Sequence, residues 1–81
     1  MKTTIELSNY PLDKEFKPKI KDFISRLNKN PNFKVITSAT STQVSGDFDD
    51  VMNMIQQEIK VSFKKYGKAV FVMKVLKGDL L

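Results

Sequence analysis

The sequence predicts an α+β sandwich in which two helices cover one face of a four-stranded sheet. Three observations predict it. Ile5 and Leu7 alternate with Thr4, Glu6 and Ser8, the period of a strand with one covered face. Two later stretches repeat apolar residues at spacings of three and four, the period of an amphipathic helix. A closing run, Ala69-Val70-Phe71-Val72-Met73-Lys74-Val75-Leu76, is apolar at nearly every position.

The first strand spans Thr3 to Leu12 and is stopped by Pro11. Asp13 to Glu15 is a polar connection. Phe16, Ile20, Phe23, Ile24 and Leu27 then mark the first helix, with Pro18 in its opening turn, where a missing N–H is harmless. Asn28-Lys29-Asn30-Pro31-Asn32 stops it. Phe33 to Thr37 is the second strand, and Ser38-Ala39 a turn or bulge.

Thr40 to Ser45 is the third strand, and it is polar on both faces through Ser41, Thr42, Gln43 and Ser45. Such a strand lines something wet or something bound, and its periodicity leaves open which face does so. Gly46 suits a corner that a side chain would forbid. Asp47 then suits the cap of a second helix, with Asp49 and Asp50 in the first turn, where negative charge favours the helix dipole. Phe48, Val51, Met52, Ile55, Ile59, Phe63 and Tyr66 trace one apolar stripe along that helix, and Gly67 ends it. The last strand, Lys68 to Leu76, is expected to be covered on both faces, with Met52 and Met73 as core fillers. Lys77-Gly78-Asp79 is a turn.

The order β-α-β-β-α-β with right-handed crossovers gives a ferredoxin-like sandwich: one antiparallel sheet of order 4-1-3-2, both helices on one face. Residues 1–81 are expected to form a single domain. Ile5, Leu7, Phe71, Met73 and Val75 should face the helices. Glu6, Ser8, Val70, Val72 and Lys74 should line the other face, a candidate surface for a second copy or a ligand.

Composition narrows the chemistry. Hydrophobic residues make up 41% of 81, so the core is thin, and no cysteine staples it. Self-association as a homodimer or homotetramer is therefore expected. With neither Cys nor His, thiol and imidazole catalysis and the commonest zinc ligands are absent. Only carboxylates or lysines could serve an enzyme, and the expectation is a protein that is not one, with no cofactor and no metal. The net charge is +5 with fourteen basic residues, but only Arg26 is an arginine and the lysines are dispersed over solvated faces, so no nucleic-acid partner is expected. No N-terminal apolar core and no run near ~20 apolar residues is present, which points to a cytoplasmic protein without a membrane partner.

The known chemistries of this fold call for residues that the chain lacks. An RNA-binding sheet needs stacking aromatics on its central strands, and only Tyr10 lies near. A copper-carrying module needs a Cys pair. A phosphatase cradle needs a loop arginine, whereas Arg26 lies mid-helix.

Ser8-Asn9-Tyr10-Pro11-Leu12, Ile20-Lys21-Asp22-Phe23-Ile24, Ser41-Thr42-Gln43-Val44-Ser45-Gly46-Asp47-Phe48-Asp49-Asp50-Val51-Met52, Ala69 to Lys74 and Gly78-Asp79 together resemble the YkoF-like thiamine/hydroxymethylpyrimidine-binding family. The Ser-Thr-x-Val-x-Gly-acidic run into a helix is the most specific part. The resemblance implies a ferredoxin-like, non-catalytic protein that binds thiamine or its hydroxymethylpyrimidine moiety and associates through its sheets. It implies Ser8 and Thr42 as ligand contacts, with Ser41 and Gln43 as second choices. Glu6 would either counter a thiazolium cation or pair with Lys74. The alternative is an oligomeric interaction or regulatory protein with no small ligand.

Overall fold

In the computed structural model, which describes residues 1–81, the elements are β1 (Lys2–Pro11), α1 (Phe16–Leu27), β2 (Lys34–Thr37), β3 (Thr42–Asp47), α2 (Phe48–Tyr66) and β4 (Ala69–Lys77). All four strands join one antiparallel sheet in the order β2-β3-β1-β4, the ferredoxin-like topology expected. β1 is central. Its Ile5 lies opposite Val44 of β3 on one side and Val75 of β4 on the other, and its Glu6 lies opposite Gln43 and Lys74. Side chains alternate across a sheet, so Ile5, Leu7, Asn9, Thr42, Val44 and Phe71 share the helix side. Glu6, Ser8, Gln43, Ser45, Val72 and Lys74 share the open side.

The core is the helix side of the two central strands packed against both helices. Ile5, Leu7 and Val44 meet Phe23 and Leu27 of α1 and Val51 and Ile55 of α2. Phe71 extends it, with its ring 5.0 Å from that of Phe23 and 5.6 Å from that of Phe63. Arg26 ties the helices together. Its guanidinium donates to the Asp22 and Glu58 carboxylates, to the Glu58 carbonyl and to the Ser62 hydroxyl. That role spends the chain's one arginine within the fold.

α2 begins as its sequence dictates: the Asp47 carboxylate accepts from the Asp50 N–H, and Asp49 and Asp50 lie in the first turn. Gly67 ends it at φ +81°, a left-handed conformation that side chains disfavour. Gly46 is there for a different reason from the one expected. Its φ is not positive. A Cβ built there would meet Phe33 Cδ1 at 2.7 Å and Val51 Cγ2 at 3.0 Å, so glycine is required by close packing.

Three expectations are corrected. β3 starts two residues later than Thr40, because Ser38 and Ser41 close a tight turn first: the Ser38 N–H donates to the Ser41 carbonyl at 2.9 Å. β4 is not covered on both faces within one chain. Val70, Val72 and Leu76 on the open side, and Met73 and Val75 on the helix side, are all exposed. Met73 is thus an edge residue, not a core filler. Phe63, on the α2 stripe, is likewise 45% exposed.

Residues 78–80 fold back over one end of the open face. The Thr4 hydroxyl donates to the Gly78 carbonyl and accepts from the Leu80 N–H, and the Ser45 hydroxyl donates to the Asp79 carboxylate at 2.7 Å. This strap is why Thr4 and Ser45 are buried although they lie on the open side.

Candidate functional site

A cleft of about 390 Å³ lies on the helix side, where the end of β1, α1 and the β2–β3 hairpin converge. Each wall follows from local sequence. The i, i+4, i+8 spacing of Phe16, Ile20 and Ile24 puts three apolar side chains along one flank of α1. Leu7 and Asn9 come from the helix-side phase of β1, and Thr42 from the first position of β3. The tight turn from Ser38 to Ser41 forms the rim opposite α1. No charged side chain lines the cleft.

Two polar groups stand out among these walls. The Asn9 carboxamide oxygen is buried and has no hydrogen-bond partner. The Thr42 side chain is almost wholly buried, and its hydroxyl has one contact, with the Thr37 hydroxyl at 3.4 Å. That is longer than the 2.5–3.0 Å of a good hydroxyl hydrogen bond. A buried acceptor and an underused hydroxyl, framed by apolar side chains, form a surface suited to a small planar ring with its own donors and acceptors.

The sequence-selected residues fall into two groups. Thr42 lines the cleft from the helix side; Ser8 and Ser41, in the open-side phase, border it at the rim; Glu6 and Gln43 lie on the open side and outside it. The question left by the β3 periodicity is answered by its pairing: the even residues Thr42 and Val44 face the helices. Ser8 sits at the rim, its hydroxyl donating to the Thr40 carbonyl at 2.9 Å. Glu6 takes the second of its two expected roles, with Lys74 Nζ 3.4 Å away. Gln43 and Ser41 also donate to it, at 3.3 and 3.4 Å. The Gln43 hydrogen bond, followed by the Lys74 ammonium, holds the Glu6 carboxyl below the ordinary carboxylate range.

Asn9 was missed by sequence reasoning. The signal was present: it follows Thr3, Ile5 and Leu7 in the covered phase of β1, where a polar amide is out of place. Phe16, Ile20 and Ile24 were recognised only as helix stripe, since a stripe does not say which part of it lacks a covering partner.

No family model matches the sequence, and no curated protein matches it significantly. Among solved structures, the chain is similar to a Streptococcus pneumoniae protein at 21% identity, covering 99% of this chain and 90% of that one, with a TM-score of 0.88. It is similar to a Thermotoga maritima protein provisionally assigned to thiamine biosynthesis or salvage, at 15% identity, 96% and 85% coverage and a TM-score of 0.84. A Methanocaldococcus jannaschii protein of hypothetical function follows at 22% identity, 99% and 84% coverage and a TM-score of 0.82. These likenesses establish a shared fold. No helix is long and apolar enough to cross a membrane.

Proposed function

We propose that this chain is a non-catalytic binding protein whose cleft takes the aminopyrimidine ring of thiamine or of hydroxymethylpyrimidine. The observation that carries the proposal is the unpartnered Asn9 oxygen. An unmatched buried acceptor costs about 1–3 kcal/mol. The exocyclic amine of the ring is a donor that would remove that cost. The Thr42 hydroxyl can turn its proton toward a ring nitrogen, and Phe16, Ile20 and Ile24 give the flat ring an apolar wall. The sequence resemblance around Ser8 and Ser41–Met52, and the provisional assignment of the Thermotoga neighbour, support the same ligand class. Absence of any charged group in the cleft favours binding over turnover.

Thermal melting with thiamine and with hydroxymethylpyrimidine tests the proposal. A ligand at 100 times its Kd stabilises the folded state by about 2.7 kcal/mol. For a domain of this size that is a Tm rise of roughly 10–20 °C. No rise with either compound at millimolar concentration would overturn the proposal and favour an interaction protein without a small ligand.

The exposure of β4 favours a second, compatible property. Only 13 of 81 residues are buried, while Val70, Val72 and Leu76 join Ile36 as exposed apolar groups on the open face. We propose that copies associate, as a homodimer or homotetramer, with this strand at the contact.

A further inference from the structure

We infer that the ligand of the cleft carries a phosphate ester, and that Lys17 and Lys21 receive it. The inference deepens the aminopyrimidine proposal above and rests on it.

The first observation is what the cleft lacks. A thiazolium cation calls for a nearby anion, and no carboxylate lines the walls. Glu6 lies across the sheet and is engaged by Lys74, Gln43 and Ser41. The acids nearest in sequence to the α1 wall are also accounted for. Asp13 pairs with Lys19, and Asp22 pairs with Arg26 and Lys65. Glu15 precedes the first turn of α1 and does not line the cleft.

The second observation is what flanks the cleft. Lys17 precedes Ile20 by three residues, and Lys21 precedes Ile24 by three. Residues three apart are neighbours on a helix surface, and both isoleucines line the cleft. Both lysines are exposed, and neither is in an ion pair. Being four residues apart, they stand side by side, about 5–6 Å between Cβ atoms. One phosphate can therefore contact both ammonium groups. Asp22 and Arg26 point the other way, toward α2, so the side of α1 facing away from α2 carries positive charge alone. The opposite rim, Ser38 to Ser41, is neutral. A ring seated against Asn9 and Thr42 that bears a phosphomonoester, with a charge of about −1.5 to −2 at neutral pH, thus finds its counter-charge on α1 just outside the cleft wall.

Calorimetric titration of the full chain with hydroxymethylpyrimidine, its phosphomonoester and thiamine tests this. At low salt the phosphomonoester should bind at least tenfold more tightly than the parent alcohol and more tightly than thiamine. That advantage should shrink when salt shortens the Debye length to about 3 Å, near 1 M. The double variant Lys17→Gln/Lys21→Gln should bring the ester to the affinity of the alcohol and leave the alcohol unchanged. An ester no tighter than the alcohol, thiamine as the tightest of the three, or an advantage surviving in the double variant overturns the inference while the aminopyrimidine proposal stands. If none of the three binds, both fall.

Discussion

Replacing Thr42 by valine separates a ligand-serving hydroxyl from a fold-serving one. Valine keeps the β-branched shape and the strand preference and removes only the hydroxyl. The fold loses little. Its one contact, to the Thr37 hydroxyl, is stretched to 3.4 Å, and Thr37 is exposed, so water replaces the lost partner. An ordinary intramolecular hydrogen bond contributes about 0.5–1.5 kcal/mol. A stretched one lies at or below the lower end, and the gain from burying a methyl in place of a hydroxyl offsets it. The variant should therefore melt within about 4 °C of the parent, given roughly 4–8 °C per kcal/mol for a domain of this size. Binding should suffer more. A ring nitrogen left facing a methyl group forfeits about 1.4 kcal/mol, a tenfold rise in Kd. Melting and calorimetric titration on the same preparation measure both quantities. A large drop in Tm with unchanged Kd would refute the reasoning, and would make Thr42 a structural residue and remove it from the site.

Gly46→Ala should cost about 1–3 kcal/mol in denaturant unfolding, because the new methyl would have to displace Phe33 or Val51; an unchanged midpoint would show that Phe33 swings aside freely. The Asp79 carboxyl is pushed down to about 2 from an ordinary 3.8, first by the Ser45 hydroxyl and then by Lys34. A depressed carboxylate contributes stability above its unfolded value and loses it as pH falls through its folded one. The strap should therefore release between about pH 4 and 2, and Asp79→Asn should flatten acid unfolding across that window. Sedimentation at low micromolar concentration should give a particle of at least twice 9.3 kDa, and Val72→Lys should return it to 9.3 kDa; a monomeric parent would remove β4 as a contact between copies.

The fold was legible where local pattern and pairing agree. Alternation at Ile5 and Leu7 gave the phase of β1, and Asp47 and Gly67 marked both ends of α2 through backbone chemistry that needs no distant partner. What escaped was decided at a distance. The phase of β3 is set by Val44 meeting Ile5, which a strand polar on both faces does not announce. Gly46 was read as a turn residue because its neighbours Phe33 and Val51 are close only in space. The apolar run of β4 was read as doubly buried, since an apolar run does not show that β4 is an edge strand with Val70, Val72, Met73, Val75 and Leu76 exposed. The site was half legible for the same reason: Thr42 faces the helices and the cleft, Ser8 and Ser41 share the open-side phase of Glu6 and Gln43 and reach only the rim, and nearness to the Ser38–Ser41 turn, not strand phase, separates them from Glu6 and Gln43.

The central place of β1 sets the order in which this chain can fold. Its partners are residues 42–47 and 69–77, so the first strand made is completed only by the last. The strap adds side-chain bonds across 74 and 76 residues of sequence. Loop closure over such spans costs only about 0.6 kcal/mol more per doubling of length, but non-local pairing slows the search for it. α1 can form early, since its hydrogen bonds are local. Ile5 and Leu7 must wait. Until residues 69–77 join the sheet, β1 is its bare edge, with main-chain donors and acceptors free to recruit the wrong strand.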